Sequence, residues 1–181
     1  MWQSKVPPRV AFFSWSTSLG KILTTNNPCK RHIIVLDWRY MCKRCGESVD
    51  HLLHCPIAYE LWSLVLCLFG LQWVMPLKVM ELFESWQGKF KRHRNIDLWR
   101  LLPHWLMWCI WRERNARCFE RCEWSSLKIK SFFLHTLLDW SIALLHFSCF
   151  PSLFCLIIVI LVLDFCLHST SPIYSGWLFL Y

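Results

Sequence analysis

The stretch Cys42-Lys-Arg-Cys45-Gly-Glu-Ser-Val-Asp-His51-Leu-Leu-His54-Cys55 gathers three cysteines and two histidines into fourteen residues. Zinc takes four tetrahedral nitrogen and sulfur ligands, and a Cys-x2-Cys turn delivers two thiolates from one tight loop. His51 and Cys55 are four residues apart, so a helix starting near Asp50 would put both on one face and leave Leu52 and Leu53 free to pack. Lys43 and Arg44 favour thiolate over thiol. The spacing predicts the metal ligands Cys42, Cys45, His51 and Cys55. A second set takes His54 as the fourth ligand, although His54 and Cys55 are adjacent and point in different directions on a helix. Only five residues separate Cys45 from His51, which is tight for a closed site.

Outward from this loop the pattern is helical. Pro7 and Pro8 precede the apolar run Val10–Trp15, where proline suits a helix start, and Gly20 suits its end. Ile33–Leu36 fits a short strand or a helical turn. Ile57, Leu61, Trp62, Val65 and Phe69 recur at helical spacing, and Gly70 closes that run. Leu98–Phe119 predicts a further helix, kinked or begun at Pro103. Ser125–Phe147 predicts another, with Ser125 or Ser126 as N-cap. Trp99, Trp105, Trp108 and Trp111 lie at spacings that let several share one side of such a helix and read as core rather than as a base-stacking platform.

Composition divides the chain. All 20 Lys and Arg and 10 of the 12 acidic residues lie at or before Lys130, while the last 51 residues carry only Asp139 and Asp164. A basic body is thus joined to a nearly uncharged tail. The body suits nucleic acid or anionic lipid as partner. Lys89, Lys91, Arg92, His93 and Arg94 form one basic cluster, and Arg112, Arg114 and Arg117 a second, each able to meet phosphate or simply to lie on a solvated face. Hydrophobic residues make up 55% of the chain, with 13 Trp and 13 Phe, so this surface must find a core, a partner or a bilayer.

Ile142–Leu163 is 22 residues without a formal charge, long enough to span a bilayer, with Lys128 and Lys130 on its cytoplasmic side. Such a composition also arises where a reading frame enters sequence never selected as protein. MWQSKVPPRV has no apolar signal core. An intracellular, reducing compartment is therefore expected, membrane-associated if the tail inserts, which favours thiols or metal over disulfides for the 11 Cys. Cys67, Cys109, Cys149, Cys155 and Cys166 lie in apolar runs and read as buried or lipid-facing.

The residues carry a resemblance. Val6-Pro-Pro-Arg-Val-Ala-Phe-Phe-Ser-Trp15, Gly20–Thr25, Gly46-Glu-Ser-Val-Asp-His-Leu-Leu-His-Cys55 and Leu61-Trp62 resemble the reverse transcriptase zinc-binding domain of plant non-LTR (LINE-type) retrotransposons. So does Trp108-Cys-Ile-Trp-Arg-Glu-Arg-Asn115, with Arg117, Phe119 and Glu120. The similarity spans roughly residues 2–145. It implies a CCHC zinc site and an accessory role beside a polymerase, without polymerase chemistry. Against the family pattern, Arg39 stands where the first thiol would be, Cys42 takes the second place, Cys45 is extra, and Leu-Leu-His-Cys is one residue short.

The expected fold is mainly α: a small helical domain with a loop-rich Cys/His zinc-binding module and an apolar C-terminal helix. Residues 2–70 form the zinc-binding domain, 71–141 a basic and aromatic helical extension, and 142–167 the apolar tail. No nucleophile, base and orienter set is present, and four protein ligands would close the metal, so an enzyme is not expected. Three functional readings follow: a zinc-dependent nucleic-acid or protein interaction module, a membrane-anchored protein with a basic cytoplasmic body, or a retroelement remnant without function.

Overall fold

The computed structural model describes residues 6–24, 38–44, 46–86 and 96–145. It is mainly helical, with α1 Pro8–Ser18, α2 His51–His54, α3 Pro56–Leu68, α4 Val79–Trp86, α5 Ile96–Asn115 and α6 Ser126–Leu145. A π-helical turn, Ala116–Glu120, continues α5. Among the described residues there is no strand, only one isolated antiparallel bridge between Arg39 and Arg44. Two compact units result, Met1–Trp124 and Ser125–Tyr181.

In the first unit α5 is the axis, and α1, α2, α3 and α4 each pack against it. Its interior positions Trp99, Leu102, Leu106, Met107 and Ile110 are nearly inaccessible to solvent, as a helix enclosed on several sides requires. This packing runs across residue 70, where the sequence suggested one domain giving way to another. α1 contributes Val10, Phe13, Ser14 and Thr17 to its buried face. Phe13 meets Trp108 edge-on at 5.3 Å and stacks on Trp111 at 5.7 Å, so these tryptophans are packing residues. α3 begins at Pro56 and ends in a left-handed Gly70 (φ 63°), whose N–H bonds the Cys67 carbonyl at 2.9 Å while Leu71 N–H bonds that of Leu66 at 2.8 Å. That is a Schellman ending, which only glycine enters without strain.

Two expectations are corrected. α5 starts before Leu98 and continues through Pro103 instead of beginning there. The carbonyl that Pro103 leaves without its helical donor belongs to Trp99, and it accepts the Trp86 indole N–H at 2.8 Å instead. α4 lies within the stretch 71–141 read as a helical extension, although no separate helix was placed there. Cys67 is exposed, whereas Cys109 is buried and burial raises its thiol pKa.

The second unit is described through α6. Ser125 Oγ accepts the Lys128 N–H at 3.3 Å, capping the helix as its residue type predicts. Ile33–Leu36, Cys45, the Lys89–Arg94 cluster, Cys149, Cys155 and Cys166 lie outside the described residues, as do residues 146–163 of the apolar segment. No helix among the described residues is long and apolar enough to cross a membrane.

Candidate metal centre

Residues 39–44 form a tight hairpin. Arg39 N–H donates to the Arg44 carbonyl at 2.6 Å, and Lys43 N–H to that of Arg39 at 2.8 Å. Lys43 adopts a left-handed φ of 57°, uncommon for a side-chain-bearing residue and usual at a turn tip. Arg39 Nε reaches across to the Gly46 carbonyl at 2.8 Å, where Gly46 itself has φ 76°. This closure holds Met41 inside and presents Cys42, half-buried, from the turn.

The facing wall is the single turn α2. Ser48 Oγ accepts the His51 N–H at 3.3 Å, and Leu52 and Leu53 are buried. Cys55 does not continue this helix: at φ −62° and ψ 140° it is extended, ending α2 and starting α3. Pro56 is the reason, because a residue before proline is pushed out of the α region. The expected one-face helical pair of His51 and Cys55 is therefore replaced by a helical turn followed by a sharp bend.

The bend brings the donors together. The ligand atoms of Cys42, His51 and Cys55 all lie within 4.8 Å of one another, and Cys42 Sγ is 3.1 Å from His51 Nε2. Zinc bonds of about 2.3 Å to sulfur and about 2.0 Å to nitrogen place tetrahedral donors about 3.5–3.8 Å apart. Two thiols and an imidazole at this spacing fit zinc. Cys45, the fourth predicted ligand, lies outside the described residues. His54, the alternative, is turned away, its Nε2 3.2 Å from the Leu77 carbonyl.

Electrostatics suit a cation. Burial, then the Arg39 charge, depress the His51 pKa to about 4, so the ring is in its neutral, ligating form at physiological pH. Burial raises the Cys55 thiol and the adjacent Cys42 adds to this, while the Ile57 and Ala58 amides at the head of α3 act in the opposite direction. A metal cation in that position would displace the thiol proton.

The Glu-Ser-Val-Asp-His run ties the loop to the rest of the unit. Glu47 accepts two hydrogen bonds from Arg114, Nε–Oε1 at 3.1 Å and Nη2–Oε2 at 2.7 Å, with both side chains 3% exposed. Asp50 Oδ1 accepts the Val79 N–H at 3.0 Å and so caps α4. Arg117 donates to Glu113 at 2.7 Å, to the Met41 carbonyl at 3.0 Å, to Glu123 at 3.0 Å and to the Trp124 carbonyl at 3.1 Å. Two members of the second basic cluster, Arg114 and Arg117, are thus enclosed among carboxylates and carbonyls instead of facing phosphate. Sequence spacing could not reveal this for Arg114, whose partner is 67 residues away, although Arg117 and Glu113 stand at i, i+4.

No similar curated protein and no similar solved structure was matched to the chain. Residues 1–62 match the family described as zinc-binding in reverse transcriptase, and Cys42, His51 and Cys55 all fall within that stretch.

Proposed function

We propose that this chain is a non-catalytic, zinc-binding accessory module of a retrotransposon-derived protein, of the plant LINE type that its sequence resembles. The carrying observation is the convergence of Cys42 from the hairpin with His51 and Cys55 from the facing turn, inside the stretch that matches the reverse transcriptase zinc-binding family. Those three residues would hold the metal, with Cys45 as the fourth ligand. When bound, zinc would cross-link the hairpin to the α2–α3 bend, adding binding free energy to the fold rather than opening a reactive position. The basic run Lys89–Arg94 is the segment assigned to nucleic-acid phosphate in this reading.

Metal analysis of the full chain tests it. The wild type is expected to hold about one zinc per chain, and Cys42→Ser and Cys55→Ser each to lose it. A folded wild type purified with zinc present, yet carrying none, overturns the proposal.

A further inference from the structure

The residues around Cys42 are held from a distant part of the chain. Arg114 meets the loop at both ends: its guanidinium pairs twice with Glu47 and lies 5.1 Å from the centre of the Tyr40 ring. Trp111 supports it at 5.0 Å, and Asn115 Oδ1 accepts one Nη1–H at 3.1 Å. Arg117 donates to the carbonyl of Met41, the residue immediately before Cys42. Glu123 then joins Lys43, immediately after it, at 3.0 Å. Tyr40, Met41, Lys43 and Glu47 are therefore all engaged by residues 111–124.

A buried ion pair is weak evidence for raw stability, since desolvating both charges offsets much of their attraction. Its planar, two-bond geometry fixes direction and register instead. Here the register it fixes is that of the loop carrying a candidate thiol. The stretch matching the zinc-binding family ends at residue 62, well before either arginine.

We infer that the metal module of this chain extends past residue 62, with Arg114 and Arg117 as positioning residues that set the Cys42 thiol against His51 and Cys55. This rests on the zinc reading above. Neither arginine touches the donors; each acts through the loop backbone or through Glu47. Outer partners of this kind govern metal affinity because the ligands must be delivered already oriented.

The test uses the full chain in two forms, metal-free and titrated with cobalt(II), whose thiolate charge-transfer bands report tetrahedral sulfur ligation. One variant pairs Glu47→Gln with Arg114→Met, so that no buried charge is left alone. A second, Arg117→Lys, keeps the charge beside Glu113 but cannot also span the Met41 and Trp124 carbonyls. In both, amide exchange at residues 40–43 of the metal-free chain is expected to accelerate, and cobalt affinity to fall about 10- to 100-fold at unchanged stoichiometry. Trp86→Phe, which perturbs the core away from the loop, is expected to lower thermal stability without moving cobalt affinity. Unchanged exchange and unchanged affinity in both variants overturn the inference while leaving the metal reading intact. A wild type that binds no cobalt, with variants that still accelerate loop exchange, overturns the metal reading and leaves the clamp standing.

Discussion

The Trp86 indole N–H donates at 2.8 Å to the main-chain carbonyl of Trp99, whose i+4 residue, Pro103, has no N–H to offer. The two rings also stack, with centroids 4.0 Å apart and planes 10° from parallel. A proline inside a helix normally costs stability by removing one bond and crowding the preceding turn. Here a neighbouring side chain donates to that buried acceptor, which helps α5 pass through Pro103 as a single helix. Trp86→Phe keeps an aromatic ring and removes the donor. It should destabilise the unit by about 1–3 kcal/mol, the cost of an unsatisfied buried acceptor. Urea denaturation checks this, and an unchanged midpoint would show that the Trp99 carbonyl has another adequate partner.

The Glu47–Arg114 pair makes a sharper prediction. Both side chains are buried, so removing either one strands a charge in a low-dielectric setting. Glu47→Ala and Arg114→Ala should each cost about 3–5 kcal/mol, whereas neutralising both partners together should recover much of that loss. A double-mutant cycle on unfolding free energies measures the coupling. Additive losses would place the pair among interactions that hold nothing in register.

Much of the local structure was legible because its signals are local. Pro8 starts α1, Pro56 starts α3, Gly70 stops α3 and Ser125 caps α6. The Cys42, His51 and Cys55 cluster was legible from spacing, although the helical geometry assigned to its second half was not the one that forms. Pro56 carried that information, since it forbids Cys55 from extending the turn. α4 had local signals that the sequence reading passed over, since Val79, Leu82, Phe83 and Trp86 recur at i, i+3, i+4 and i+7 and Glu81 accepts the Lys78 N–H at 3.3 Å; only its Asp50 cap, 29 residues upstream of Val79, was out of local reach. Arg114 read as a possible phosphate surface because its carboxylate, Glu47, is 67 residues away, whereas the partners of Arg117, Glu113 and Glu123, are only four and six residues off.

Asp50 offers a test of that long-range cap. Its Oδ1 satisfies a main-chain donor at the start of α4, a group that otherwise has no helical acceptor. Asp50→Ala should lower stability by about 1 kcal/mol, within the usual 0.5–2 kcal/mol for losing a side-chain cap. Asp50→Asn, which retains an acceptor oxygen, should lose less. Thermal unfolding distinguishes the two, and equal losses would mean that the carboxylate charge, not the hydrogen bond, is what α4 requires.

His104 gives the fold a defined acid sensitivity. It lies in α5 with its ring stacked on Phe83, centroids 4.8 Å apart, and burial depresses its pKa to about 4 from an ordinary 6.5. The unfolded chain therefore binds this proton at a higher pH than the native one. The stability associated with the neutral ring is fully present above pH 6.5, and it is lost as pH falls from 6.5 towards 4. Within that window the contribution can fall by up to about 1.4 kcal/mol per pH unit, the limit for one proton. Other groups titrate there too, His51 among them, so the informative quantity is the difference between wild type and His104→Phe. Urea midpoints measured from pH 7.5 down to about 4.5 should shift in the variant's favour as acidity rises, because only the wild type must keep the His104 imidazole uncharged. Parallel pH profiles for the two proteins would mean that the native fold admits the proton, and that α5 opens around His104 more readily than its burial implies.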